Sequence, residues 1–159
     1  MALPVGVLSS CAMCVEASTN GTTWIDFSDY LTVLEPDEWT RDSGGMAVFT
    51  EGRRVRTSGA LGLVQVRVRG VYIDSTATTN PFTYFWAQHT QACSAPLALR
   101  WAPAGCATTN QVFSTATATG HQSGIVGMTP GPSGDPNSGD PLVWEAVIET
   151  NDVVRATYT

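Results

Sequence analysis

The sequence predicts a mainly β domain, a β-sandwich or partly closed barrel with one flanking α-helix. Three observations carry this. Apolar and polar residues alternate in short runs, most clearly from Val64 to Arg69 and from Leu142 to Glu149. Clusters of Gly, Pro, Asn, Asp and Ser separate such runs at short intervals. A single stretch changes period: behind Asn80-Pro81, residues Phe82, Phe85, Trp86 and His89 recur at three- and four-residue spacing, which places them on one stripe of a capped helix.

Taken in order, residues 1–20 read as an N-terminal arm, extended with at most a short strand, and residues 21–159 as a single β domain. Trp24, Ile25, Phe27, Tyr30, Leu31, Val33 and Leu34 open the domain, and Pro36-Asp37 end its first strand. From Gly44 to Thr57, two β-prone runs flank Glu51-Gly52, a hairpin signal. Arg53, Arg54 and Arg56 form a basic spot near its tip. In the strand from Leu61 to Asp74, Val64, Val66 and Val68 alternate with Gln65, Arg67 and Arg69. Beyond Gly70 the apolar residues shift to Val71 and Ile73, which predicts a bulge or bend at the glycine. After the helix come Leu97, Leu99 and Trp101 in alternation, a threonine-rich strand from Val112, a short apolar run from Gly124 to Met128, and a loop from Pro130 to Asp140. The closing strand puts Leu142, Trp144, Ala146 and Ile148 on a core face. Val143, Glu145, Val147 and Glu149 take the other face, the two carboxylates ~13 Å apart. Val153 to Tyr158 adds a last short strand.

Bulk composition narrows the function classes. With 159 residues, 43% hydrophobic and 14% charged, the chain has the apolar content for a core and too little charge for disorder. It contains no lysine, all eight basic residues being arginine, and its net charge of −6 disfavours tight binding to nucleic-acid backbones. Cys11 and Cys14 form a Cys-x-x-Cys, but Cys93 and Cys106 are separated by twelve residues and make no second knuckle. Free thiols therefore rank ahead of a disulfide, and a disulfide ahead of zinc. Leu8-Ser9-Ser10-Cys11 resembles a lipoprotein cleavage box without a basic segment before it, and no apolar run approaches the ~20 residues of a membrane span, so a soluble, unprocessed chain is expected.

Catalysis finds no support. The two histidines, His89 and His121, have no companion cluster, and His89 reads as a core or interface residue. No serine stands in Gly-x-Ser-x-Gly, and there is no phosphate loop or dinucleotide fingerprint. Glu35 with Asp37 and Glu38, and Asp135 with Asp140, lie in turns where such residues cap locally. No catalytic residue, metal ligand or cofactor is assigned.

The succession of Gly-x-x-Trp-x-Asp-Phe-Ser at Trp24, a bulged strand, a capped helix, Leu-x-Leu-Arg-Trp-Ala-Pro-x-Gly at Leu97 to Gly105, a Gly/Pro-rich loop and Ser-Gly-Asp-Pro-Leu-Val-Trp-Glu-Ala-Val-Ile resembles the major tail tube proteins of long, non-contractile-tailed bacteriophages. The resemblance covers roughly residues 21 to 155. It implies a ring-forming sandwich subunit, six copies to a ring, with the rings stacked into a tube through which the genome passes. It further implies that the Gly44–Gly59 hairpin, with Glu51, Arg53, Arg54 and Arg56, and the terminal arm bridge successive rings. Partners would be further copies of the chain and the tape-measure, tail terminator and distal tail proteins. DNA would pass without specific binding and no membrane would be engaged. The place would be the virion tail, assembled in host cytoplasm.

A bore for DNA needs little exposed positive charge. Glu145 and Glu149 are therefore expected on the lumen, and Arg67 and Arg69 away from it, facing the helix layer or a neighbouring subunit. Two alternatives from other classes are a carbohydrate-binding or adhesin β-sandwich, suggested by the five tryptophans, and a capsid decoration protein. Trp24, Trp86, Trp101 and Trp144 fall on apolar stripes, which core packing explains more simply; Trp39 sits among polar neighbours.

Overall fold

In the computed structural model, which describes residues 12–48, 53–91, 96–115 and 123–159, the alternation of the sequence becomes alternation of burial. The elements in chain order are β1 (Cys14–Ser18), β2 (Ile25–Asp26), β3 (Leu31–Pro36), β4 (Arg41–Val48), β5 (Arg53–Leu61), β6 (Val64–Val71), α1 (Pro81–His89), β7 (Ala98–Ala102), β8 (Gln111–Thr115), β9 (Ser123–Met128), β10 (Val143–Thr150) and β11 (Val153–Thr157). They form a five-stranded sheet ordered β11-β8-β7-β1-β2, a four-stranded sheet ordered β3-β6-β10-β9, and a separate β4-β5 pair. Pairing is antiparallel throughout. This is the mainly β sandwich with one helix that the sequence predicts.

The core lies between the two larger sheets. Val15, Ala17, Leu99 and Trp101 meet Val66, Val68, Trp144, Ala146 and Ile148, and Phe27 and Phe85 close one end. At one corner the sheets meet: Leu97 N–H donates to Ser123 C=O, Ser123 Oγ donates to Leu97 C=O at 2.7 Å and lies 3.0 Å from Thr115 Oγ1, and Thr115 Oγ1 accepts from Leu99 N–H at 2.8 Å. These buried hydroxyls satisfy backbone groups that would otherwise be stranded without water. The Cys14–Ser18 segment, in the stretch expected to be an arm, is an interior strand between β2 and β7 and is buried at every position.

The helix follows its sequence signals. Asn80 caps it, its Oδ1 accepting from Phe82 N–H at 3.1 Å, while its Nδ2 donates to the C=O of Ile73 and Ser75. Pro81 takes the first turn, where no intrahelical N–H is needed. Phe85 packs on Trp144 with ring centroids 5.3 Å apart, and Phe82 on Trp144 at 6.0 Å.

Two expectations are corrected here. Gly70 is not a bulge: burial alternates through it, and β6 pairs with β10 in unbroken register up to Val71↔Val143. It is glycine because a Cβ would stand 2.8 Å from Trp144 Cζ2. The irregularity lies on the neighbouring strand, where Leu31 and Val33 oppose Gly70 and Arg69 and leave Thr32 extra. Leu142 is not on the core face. It precedes the strand, is 44% exposed and lies against Gly134, where the Ser133↔Val143 bridge turns the chain.

The hairpin expected at Glu51-Gly52 is present as β4 and β5, with Ala47 opposite Arg54 and Gly45 opposite Arg56. Arg53, Arg54 and Arg56 are placed on β5; Glu51 lies outside the described residues, as do Cys11, Cys93 and His121.

Candidate functional site

The register between β6 and β10 decides what the four-stranded sheet presents to the outside. Glu145 is opposite Arg69, Val147 opposite Arg67, and Glu149 opposite Gln65. On the other flank of β6, Glu35 is opposite Arg67 and Val33 opposite Arg69. Cross-strand partners share a face, so Glu35, Glu145, Glu149, Arg67 and Arg69 belong to one surface. Arg69 Nη2 donates to Glu145 Oε2 at 2.9 Å, and Arg67 Nε lies 3.5 Å from Glu145 Oε1. Gln65 Nε2 donates to Glu149 Oε2 at 3.1 Å. Three carboxylates thus stand against two guanidiniums.

This arrangement changes the sequence reading. The glutamates expected on the lumen and the arginines expected elsewhere share a face, because antiparallel pairing brings even-numbered inward residues of β6 opposite even-numbered inward residues of β10. Nor do Arg67 and Arg69 face the helix layer, since α1 packs on the Trp144 side of the sheet. The arginine side chains are 48% exposed, so these ion pairs contribute less than ~1 kcal/mol each.

A second polar cluster lies on the outer side of the five-stranded sheet, and sequence reasoning missed it. Glu16 on β1 is buried opposite Arg100 on β7, and Arg100 Nε is bonded to Glu16 Oε2. Tyr158 donates to Glu16 Oε1 at 3.2 Å, and Arg100 Nη2 donates to the Tyr158 oxygen at 3.2 Å. The guanidinium is stacked between Trp24 and Tyr158, 4.4 and 4.6 Å from their ring centroids. Trp24 therefore serves a cation rather than the core. The only available sequence signal was a glutamate between Val15 and Ala17, because the four residues lie far apart along the chain.

Beside this cluster Cys14 and Cys106 are joined by a disulfide, with Cα atoms 5.4 Å apart. The expected ranking that put free thiols first is corrected for this pair: β1 places Cys14 opposite Ala102, next to the turn that carries Cys106. Cys14, Glu16 and Cys106 are the one group among the described residues close enough to share a metal ion. The bridge removes both thiolates and Arg100 holds the carboxylate, so that group is committed to structure. Of the carboxylates expected in turns, Asp135 and Asp140 cap locally, Asp135 Oδ1 accepting from Asn137 N–H and Asp140 Oδ2 from Ser138 Oγ, whereas Glu35 is not in a turn but on β3, opposite Arg67.

Burial, then the negative charge of Glu16, raise the pKa of Tyr158 above the ordinary phenol value of 10.0, with Arg100 opposing. The neutral phenol is favoured in the fold, so its contribution to stability is present below pH 10 and is lost as pH rises through the folded pKa. In an ultraviolet titration, Tyr158→Phe is expected to remove an ionisation step that lies above the ordinary phenol value.

Both edges of the four-stranded sheet, β3 and β9, lack a strand partner among the described residues. Along β3 the sandwich opens as a cleft of about 430 Å3, lined by Met13 and Val15 from one sheet and Leu31, Val33 and Leu34 from the other. On β9, the register shifts between Gly127↔Val147 and Ile125↔Ile148, leaving Val126 as an extra, 52% exposed residue.

This architecture has close structural counterparts. A chain of the sheath–tube complex of an extracellular contractile injection system, PVC, in its extended state superposes with a TM-score of 0.71 at 12% identity, covering 96% of this chain and 93% of that one. A chain of the tube-terminating cap of the anti-feeding prophage gives 0.71 at 14% identity over 99% and 95%. A chain of the tail of an empty GTA particle, refined with C6 symmetry, gives 0.62 at 10% identity over 96% and 100%. The chain has a phage-tail-like tube fold. No family model matches the sequence, and no curated protein matches it significantly. The tube fold here is shared with contractile systems, so the expected restriction to non-contractile tails is not what the structural likeness supports.

Proposed function

We propose that this chain is a structural, non-enzymatic subunit that self-assembles into stacked rings forming the tube of a phage tail or tail-like particle. The observation that carries the reading is a four-stranded sheet, in a tube fold, with both edges open among the described residues. Open edges are aggregation hazards unless paired, and head-to-tail pairing of β9 on one copy with β3 on the next uses both and closes a ring. The GTA-tail counterpart was refined with C6 symmetry, and six is the number proposed here.

The Glu35, Glu145 and Glu149 face then forms the conduit wall, and the β4–β5 hairpin and the segment ahead of Cys14 reach the adjacent ring. Residues 21–159 with β1 form the single β domain. Partners are further copies, tape-measure, terminator and distal proteins, with genomic DNA as the traffic. The likeness to a sheath–tube complex favours one variant reading, a tube enclosed by a contractile sheath.

Negative-stain microscopy of the purified chain tests the proposal. Tubes or sixfold rings are expected; monomers that bind glycans would instead place the chain among carbohydrate-binding sandwiches. Val126→Asp puts a charge on the β9 edge. It is expected to abolish rings while shifting stability by no more than ~0.5 kcal/mol, as for other exposed sites.

A further inference from the structure

We propose that Glu145 masks Arg67 and Arg69, and that this one carboxylate makes the outer face of the four-stranded sheet indifferent to duplex DNA. The argument begins with what the arginines would otherwise do. A guanidinium is a planar fork that matches phosphate oxygens, and two of them at alternate positions of one strand project from the same side, ~7 Å apart. Both are half exposed. Left alone, they would hold a passing phosphate backbone.

Glu145 engages both, one oxygen for each: Oε1 toward Arg67 Nε at 3.5 Å and Oε2 toward Arg69 Nη2 at 2.9 Å. Glu149 is differently occupied, accepting from Gln65. The two glutamates therefore have separate roles, although both lie on β10 and both carry the same charge. Glu149 adds to the field of the face, and Glu145 occupies the donors that phosphate would use. Exposed ion pairs add little to folding, so stability alone does not account for placing a carboxylate between two arginines.

The biological meaning of this masking rests on the conduit reading, but its chemistry is tested on the chain alone. Fluorescence anisotropy with a labelled DNA duplex compares the wild type, Glu145→Gln, Glu149→Gln and the triple variant Arg67→Gln/Arg69→Gln/Glu145→Gln. Freeing two guanidiniums adds a salt slope of roughly 0.9 for each. Glu145→Gln is therefore expected to bind the duplex more tightly than the wild type at about 50 mM salt, and to lose about tenfold more affinity by about 200 mM. The triple variant returns to the wild-type curve, and Glu149→Gln gains less than Glu145→Gln.

Equal gains for the two single variants would show net charge alone at work and overturn the masking, as would a Glu145→Gln curve that coincides with wild type. Thermal melts of each variant confirm that folding is retained. Micrographs of the same samples keep the two readings apart: rings without a Glu145→Gln gain overturn the masking and leave the tube, while a gain without rings does the reverse.

Discussion

Replacing Cys14 and Cys106 together by alanine is expected to lower the melting temperature by on the order of 10 °C. The bridge joins residues 92 apart in sequence. A loop of that length, left open, gives the unfolded chain conformational freedom worth up to ~4–5 kcal/mol, and measured losses typically run at about 2–4 kcal/mol. Cys14 is buried and packs with Ala102 and Val112, so alanine avoids stranding a hydroxyl there. Calorimetry with and without reductant checks the assignment. Reductant should shift the wild type toward the double variant and leave the double variant unmoved. A wild-type melt that ignores reductant under conditions that expose the sulfurs would show that these cysteines are not bridged.

The second large effect concerns Trp144 and Gly70. Trp144 is buried, packs against Phe82 and Phe85, and donates its indole N–H to Val71 C=O at 3.2 Å. Trp144→Ala removes most of that packing and is expected to cost about 3–5 kcal/mol in denaturant unfolding. Gly70→Ala drives a methyl into the indole and is expected to cost about 1–3 kcal/mol. The informative measurement is the pair. With the indole gone, the added methyl has room and fills part of the vacated space, so the double variant is expected to lose clearly less than the two single losses combined. Additive losses would mean that Gly70 is required for some other reason.

The sequence disclosed the elements whose physics is local. The α1 cap needed only Asn80, Pro81 and a helical stripe, and the hairpin only two β-prone runs around Glu51-Gly52. Inward positions on β6 and β10 followed from a two-residue period. What it concealed was pairing. No local signal states that β10 lies beside β6, and that adjacency alone puts Glu145 among Arg67 and Arg69. Gly70 shows how a correct observation acquires the wrong cause: the glycine did mark a close approach, but the approaching group was a side chain 74 positions later rather than a kink in its own strand. The Glu16–Arg100–Tyr158 cluster was hidden for the same reason, with its members drawn from β1, β7 and the residue after β11. The cysteines were misjudged because spacing along the chain does not reveal that β1, which carries Cys14, lies beside β7 and the turn after it that carries Cys106.

The β4–β5 pair belongs to neither large sheet. At its root Gly62 N–H donates to Thr40 C=O at 2.9 Å, and the Trp39 indole donates to Gly62 C=O at 3.0 Å. Beyond that root the described residues pair only with each other, from Ser43↔Ser58 to Val48↔Arg53. Such a part can change length across generations without disturbing the sandwich: one matched pair of residues inserted in each strand extends the projection by ~7 Å and leaves every core contact as it was. Descendants of this chain are therefore free to lengthen or shorten this projection by insertion and deletion, while the sheets beneath it change only by substitution.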